Sequence, residues 1–197
     1  GTDALLNNTG SENVALGTNT LKSNTGVNNL AVGSFSLSNN AGGSANVGIG
    51  ASSLLTNVVG NNNVALGKDS LFNNLANNNI SVGSSAMRNN TSGANNIGVG
   101  GSALLTNTNG NSNVCIGNES MYFKTTGSDN VAIGGQSGQA TATGNNVTSN
   151  TSVFIGGFTK ALADSQTNQI VIGFNSTGLG SNTSVFGNLN TAFGRWF

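Results

Sequence analysis

The side chains able to do chemistry in this chain are few: one cysteine, six Asp or Glu, six Lys or Arg, and no histidine. Without an imidazole, the usual general base at neutral pH is missing. Cys115 stands alone, so it lacks both the base that activates a nucleophilic thiol and the partners of a soft metal site. The carboxylates Glu12, Asp69, Glu119, Asp129 and Asp164 are scattered along the pattern described below. A glycosidase needs two carboxylates about 5–10 Å apart across a cleft, and this scatter does not supply them. Calcium-binding rolls place Asp in every turn, whereas the turns here carry Asn. The composition points to a non-enzyme with no catalytic, cofactor-binding or metal site. The net charge is zero with 6% charged residues, which leaves no basic footprint for nucleic acid. No apolar run approaches the roughly 18 residues of a membrane span, so membrane insertion is not expected.

What the chain has instead is turn chemistry. It holds 30 Gly and 37 Asn in 197 residues, with no Pro, and these two residue types accept positive φ most readily. Against that background a tetrad recurs, aliphatic, small, aliphatic, Gly: Val14-Ala15-Leu16-Gly17, Leu30-Ala31-Val32-Gly33, and so on to Val131-Ala132-Ile133-Gly134. The glycine spacings from 17 to 134 are 16, 17, 17, 16, 17, 17 and 17. A second apolar residue follows each glycine by four: Leu21, Leu37, Leu54, Leu71, Met87, Leu104 and Met121, with Leu5 four after Gly1. Asn-rich stretches separate the two.

The apolar–small–apolar order has the period of an extended chain, not of a helix. One unit of about 17 residues is too poor in aliphatics to fold alone. Coils must stack, bonding backbone to backbone at about 4.8 Å, and merge their cores into one column. The spacing therefore predicts an all-β fold, a parallel β-solenoid or β-roll with two short strands per coil. The small strand residues Ala15, Ala31, Gly48, Ala65, Ser81, Gly98, Cys115 and Ala132 point opposite to their aliphatic neighbours. A face kept small in every coil suggests close approach of another backbone, and this row is assigned as the packing face of a homotrimer.

Residues 1–134 form the regular repeats. From 135 to 187 the pattern loosens, with a long loop insertion and matches at Val153-Phe154-Ile155-Gly156, Ile170-Val171-Ile172-Gly173 and Val185-Phe186-Gly187. Residues 188–197, with Phe193, Trp196 and Phe197, are expected to close or continue the stack. Two places depart from the Asn-rich consensus and are candidate receptor contacts. One is Tyr122-Phe123-Lys124, aromatics beside a cation. The other is the insertion, through Gln136, Gln139, Asn145 and Asn146, since loops carry specificity on a rigid scaffold. The Asn rows are assigned a structural role, stacked amides in positive-φ turns that pin register.

The unit Gly-x-x-Ser-Leu-x-x-Asn-x-x-Gly-x-Asn-Asn-Val-Ala-Leu-Gly resembles the repeat of tail fibres of bacteriophages and contractile injection systems. Asn13-Val14-Ala15-Leu16-Gly17 and Asn130-Val131-Ala132-Ile133-Gly134 are also similar to the head repeat of trimeric autotransporter adhesins. The adhesin repeat is shorter, and the longer period here favours the fibre. The resemblance implies a homotrimer of parallel β-rolls, extracellular, on a virion, injection device or cell surface, attaching to a host glycan or protein. The rival reading is an adhesin head whose roll itself binds extracellular matrix. An ice-binding solenoid would want one strictly repeated Thr face, which these varied turns do not offer.

Overall fold

The structure, a computed structural model, describes residues 1–188. Its strands are β1 (Val14–Leu16), β2 (Leu30–Val32), β3 (Val47–Ile49), β4 (Val64–Leu66), β5 (Ile80–Val82), β6 (Ile97–Val99) and β7 (Val114–Ile116). They continue as β8 (Val131–Ile133), β9 (Ala140–Thr141), β10 (Val153–Ile155), β11 (Lys160–Ala161), β12 (Ile170–Ile172) and β13 (Ser184–Phe186). Eleven of them form one sheet in chain order, β1 to β8, then β10, β12 and β13. Pairing is parallel, and each tetrad meets the next in register, as in Val64↔Ile80, Ala65↔Ser81, Leu66↔Val82. Parallel neighbours in chain order require the chain to travel once round between them, so each repeat is one coil of a solenoid about 48 Å long at 4.8 Å per coil. No helix among the described residues is long and apolar enough to cross a membrane.

The far side of the coil differs from the expected second strand. A strand occupies it only at β9 and β11, which pair with each other in parallel. Elsewhere alternate residues take positive φ, as at Asn19 (54°) and Leu21 (46°), or Asp69 (56°) and Leu71 (49°). Extended residues sit near −120°, so a chain alternating in this way curls instead of running straight. Such a φ is strained for Leu, at about 1–3 kcal/mol per residue. Packing and hydrogen bonds hold it: the Leu21 N–H donates to the Ser36 carbonyl at 3.1 Å, and that of Leu71 to Ala86 at 3.1 Å. The glycine that ends each strand has a second constraint. At Gly67 (φ +133°) a Cβ would fall 2.5 Å from the Gly83 carbonyl oxygen, because coils approach backbone to backbone there.

The bore is narrow and partly polar. One column is the Leu/Met row from Leu21 to Met121, fully buried, and against it stands the small strand row from Ala31 to Ala132. Two further columns are asparagines. In the first, each amide donates to the side-chain oxygen of the coil before: Asn40 to Asn24 at 2.6 Å, Asn57 to Asn40 at 2.9 Å, Asn90 to Asn74 at 2.8 Å. In the second, each side-chain oxygen accepts the backbone N–H of its successor: Asn46 to Asn29 at 3.0 Å, Asn63 to Asn46 at 3.0 Å, Asn113 to Asn96 at 2.9 Å. The amides of this second column donate to turn carbonyls, as Asn46 does to Gly60 at 2.8 Å. Buried amides with both ends bonded cost little, and they tie successive coils.

Candidate functional site

The central strand residue points into the bore. Ala31, Ala65, Cys115 and Ala132 are fully buried, as is Ser81, and a Cβ on Gly98 would lie 3.0 Å from the Met87 side chain. Gly48 is buried too, and only Ala15, in the first coil, is half-buried. The assignment of this row as a packing face for another chain is therefore corrected. The row is small because the Leu/Met column already fills the bore. The aliphatics on either side of it, expected to be core, form the outer face of the sheet. Ile49, Ile80 and Ile116 are each 40% exposed, and the two outer columns run as aliphatics through ten strands before β13 brings Ser184 and Phe186.

Of the residues Tyr122, Phe123 and Lys124, the lysine is misplaced as a surface cation: it is fully buried. Lys124 lies 17 residues after Asn107, in the first asparagine column, and its ammonium donates to the Ser149 carbonyl. With no amide at this level, Asn107 Oδ1 has no hydrogen-bond partner, and neither has Asn146 Oδ1 one coil on. Burial pushes the Lys124 pKa down to about 8, against the opposing charges of Cys115 and Asp164. Burial also pushes the Cys115 thiol up to about 12, against Lys124 and the Ser120 hydroxyl. That thiol is not a nucleophile at neutral pH. Tyr122 and Phe123 are half-buried, with rings edge to face at 4.7 Å.

The insertion is a tight protrusion. Thr141 N–H donates to the Gly144 carbonyl at 2.7 Å, closing a turn between β9 and Asn145. Asn145 is exposed, whereas Asn146 is buried and donates to Gly138 at 3.0 Å, so Asn146 is corrected to a scaffold residue. Asp164 clamps the following segment by accepting the N–H groups of Val147 at 2.8 Å and Thr148 at 2.7 Å. Partial burial alone would raise the pKa of this carboxyl, but the hydrogen bonds outweigh it and hold the group below the ordinary value.

Gln136 and Gln139 stay on the surface, half-buried, and both turn toward Glu119. Gln136 Nε2 donates to Glu119 Oε2 at 2.8 Å, and Gln139 Nε2 lies 3.5 Å from the same oxygen. Beside them is a feature the repeat pattern did not single out as a site. Phe158, 45% exposed, and Phe174, 67% exposed, meet edge to face with centroids 5.7 Å apart. The signal was present: equivalent positions in regular coils carry small pairs such as Ala51-Ser52 and Ser84-Ser85, with Phe35, 45% exposed, a lone ring among them. Among the described residues no group of three or more His, Cys, Asp or Glu is placed to hold a metal ion. The expected closing segment, beyond Asn188, lies outside the described residues. No protein-family model, curated protein or solved structure matches the chain.

Proposed function

We propose that this chain is a non-enzymatic structural segment of a trimeric extracellular fibre, one that holds and presents a surface for attachment to a host cell. The observation that carries this reading is the outer face of the eleven-stranded sheet. A lone rod leaves two columns of Val, Ile and Leu half in water through ten of the eleven strands, and a continuous apolar stripe of that extent marks an interaction surface. Parallel copies of the same chain fit it best, because their faces share the rise per coil and can interdigitate from end to end. The number three comes from the resemblance to tail-fibre repeats. Stiffness follows from the backbone ladders and the buried amide columns, which suits a spacer bearing load along its axis.

Sedimentation equilibrium tests it. A trimer weighs about 59 kDa, three times the 19.6 kDa chain, and we expect that mass at micromolar concentration. Val82→Lys with Val99→Lys, both on the outer face of the sheet, should yield a monomer with unchanged far-ultraviolet dichroism. A monomeric parent protein overturns the proposal. Attachment is tested by binding of the fluorescently labelled trimer to intact bacterial or animal cells, with the monomeric variant as comparison.

A further inference from the structure

The corner of the rod that follows the strands carries short or polar side chains in most coils, with Phe35 a lone ring, yet at one end two rings meet there. Hydrogen bonds fix which residues adjoin there: Gln136 N–H donates to Asn118 at 2.8 Å, Phe158 to Gly135 at 3.0 Å and Asn175 to Gly157 at 2.9 Å. Gly135 and Gly157 are consecutive rungs of one column, Gln136 and Phe158 of the column beside it. The Phe174 ring lies over Gly157, at 3.6 Å from where a Cβ would stand. Gly135 has no such cover, since a Cβ there would meet nothing nearer than the Asn118 carbonyl at 4.0 Å.

The outcome is an open floor of backbone at Gly135. Phe158 and Phe174 stand on the rungs that follow it, and the hydrogen-bonded Gln136 and Glu119 occupy the column beside it. The coil does not demand these rings, because Ser and Ala serve at the same rungs elsewhere. Two phenyl groups left this exposed are apolar surface held in water. Flat rings next to a carboxylate and an amide match a ligand with a C–H face and hydroxyls at its edge. The rise of one coil, about 4.8 Å, is about the width of one sugar ring.

We propose that this corner is a saccharide-binding platform that takes a neutral pyranose unit of a surface glycan. Phe158 and Phe174 stack on the sugar, and Glu119 and Gln136 accept and donate to its hydroxyls. This deepens the attachment reading and rests on it for its biological use. So shallow a floor implies a dissociation constant on the order of millimolar for one sugar, raised in avidity when several copies act together.

Saturation-transfer NMR on the full chain tests it, with the methyl glycosides of glucose, galactose, mannose and N-acetylglucosamine as probes and glycerol as the blank. We expect transfer to the ring protons of at least one sugar. It should fall at least five-fold in Phe174→Ala and in Gly135→Thr, each with unchanged dichroism. No transfer to any of the four sugars, or transfer that survives both substitutions, overturns the platform. Sedimentation of the same samples separates the two readings. A trimer that binds no sugar removes the platform alone, and a monomer that binds sugar keeps the platform and removes the trimeric fibre.

Discussion

Phe154 occupies the room that a missing side chain at Gly138 leaves open. Phe154 stands in the small strand column and Gly138 in the Leu/Met column, one coil after Met121. A Cβ on Gly138 would lie 2.9 Å from the Phe154 ring and 3.1 Å from the Met121 methyl. Bore volume is thus conserved coil by coil, while the wall that supplies it changes sides. Gly138 keeps a φ of +61°, close to that of the Leu and Met it replaces, so the backbone path does not change.

Exchange of volume across the bore predicts strong coupling between these two sites. Phe154→Ala should cost about 3–5 kcal/mol, as other buried Phe truncations do. Gly138→Leu alone should also destabilise, because it overfills the same space. The double substitution rebuilds an ordinary coil, and urea denaturation should show it more stable than either single variant. Additive losses would mean that the two side chains do not share one space.

Lys124 makes stability depend on pH in a defined direction. Its pKa is about 8 in the folded chain against 10.5 as its ordinary value. Below pH 8 folding carries the full penalty of a buried ammonium, and this is relieved as pH rises through 8 to 10.5, since the unfolded chain then binds more protons. Cys115 acts oppositely: its pKa of about 12 against 9.0 gives stability that is full below pH 9 and lost as pH rises to 12. Denaturation midpoints should therefore rise from pH 8 to 9 and fall above 10.5. Lys124→Asn should remove the rise and supply Asn107 Oδ1 with a partner, adding about 2–3 kcal/mol at pH 7. A midpoint that still rises from pH 8 to 9 in Lys124→Asn would contradict this account.

The period, the parallel stacking and the all-β class were legible because a recurring Gly-ended tetrad has few other physical solutions. Which side of the strand faces inward was not. Alternation in Val14-Ala15-Leu16 says that the faces differ, and the habit of placing the larger aliphatics inside is a rule for wide cores. Here Leu21 and its successors leave room only for Ala, Gly or Ser opposite. Lys124 was legible in principle, since counting 17 from Asn107 places it in a buried amide column. Asparagine identity alone hid the distinction between that column and exposed turn residues such as Asn28, at φ 60°. Phe158 and Phe174 stand out in the sequence at the positions that follow Gly156 and Gly173, but only the coordinates of neighbouring coils bring the two rings together.

Ala45 is a weak member of a turn column in which Asn is the commonest residue. It holds φ +56° where the coils before and after have Asn28 and Asn62, at 60° and 57°. It is exposed, so nothing need move to admit a larger side chain. Asn tolerates this region better than Ala. Ala45→Asn should stabilise by about 0.5–1 kcal/mol, read as a shift of the thermal midpoint. A destabilised variant would show that the column is set by contacts instead of by φ.

The buried amide columns, finally, predict that one residue type matters very unequally at positions four apart. Asn57 is fully buried. It donates to Asn40 Oδ1 at 2.9 Å and to the Gly60 carbonyl at 2.9 Å, and it accepts from Asn74 at 3.2 Å. Asn57→Ala leaves the Asn40 oxygen without a donor in a bore that excludes water, and unmet buried groups cost about 1–3 kcal/mol each. A loss of about 2–4 kcal/mol is expected, with amide exchange accelerated in the adjoining coils first, because each coil leans on its neighbours. Asn61 also bonds across coils, its side chain accepting from the Ser44 N–H at 2.8 Å and donating to Val59 at 3.0 Å. It does so at the surface, where water replaces what Ala removes, so Asn61→Ala should cost under about 1 kcal/mol. Equal losses at the two positions would show that burial of the column is not what makes its hydrogen bonds count.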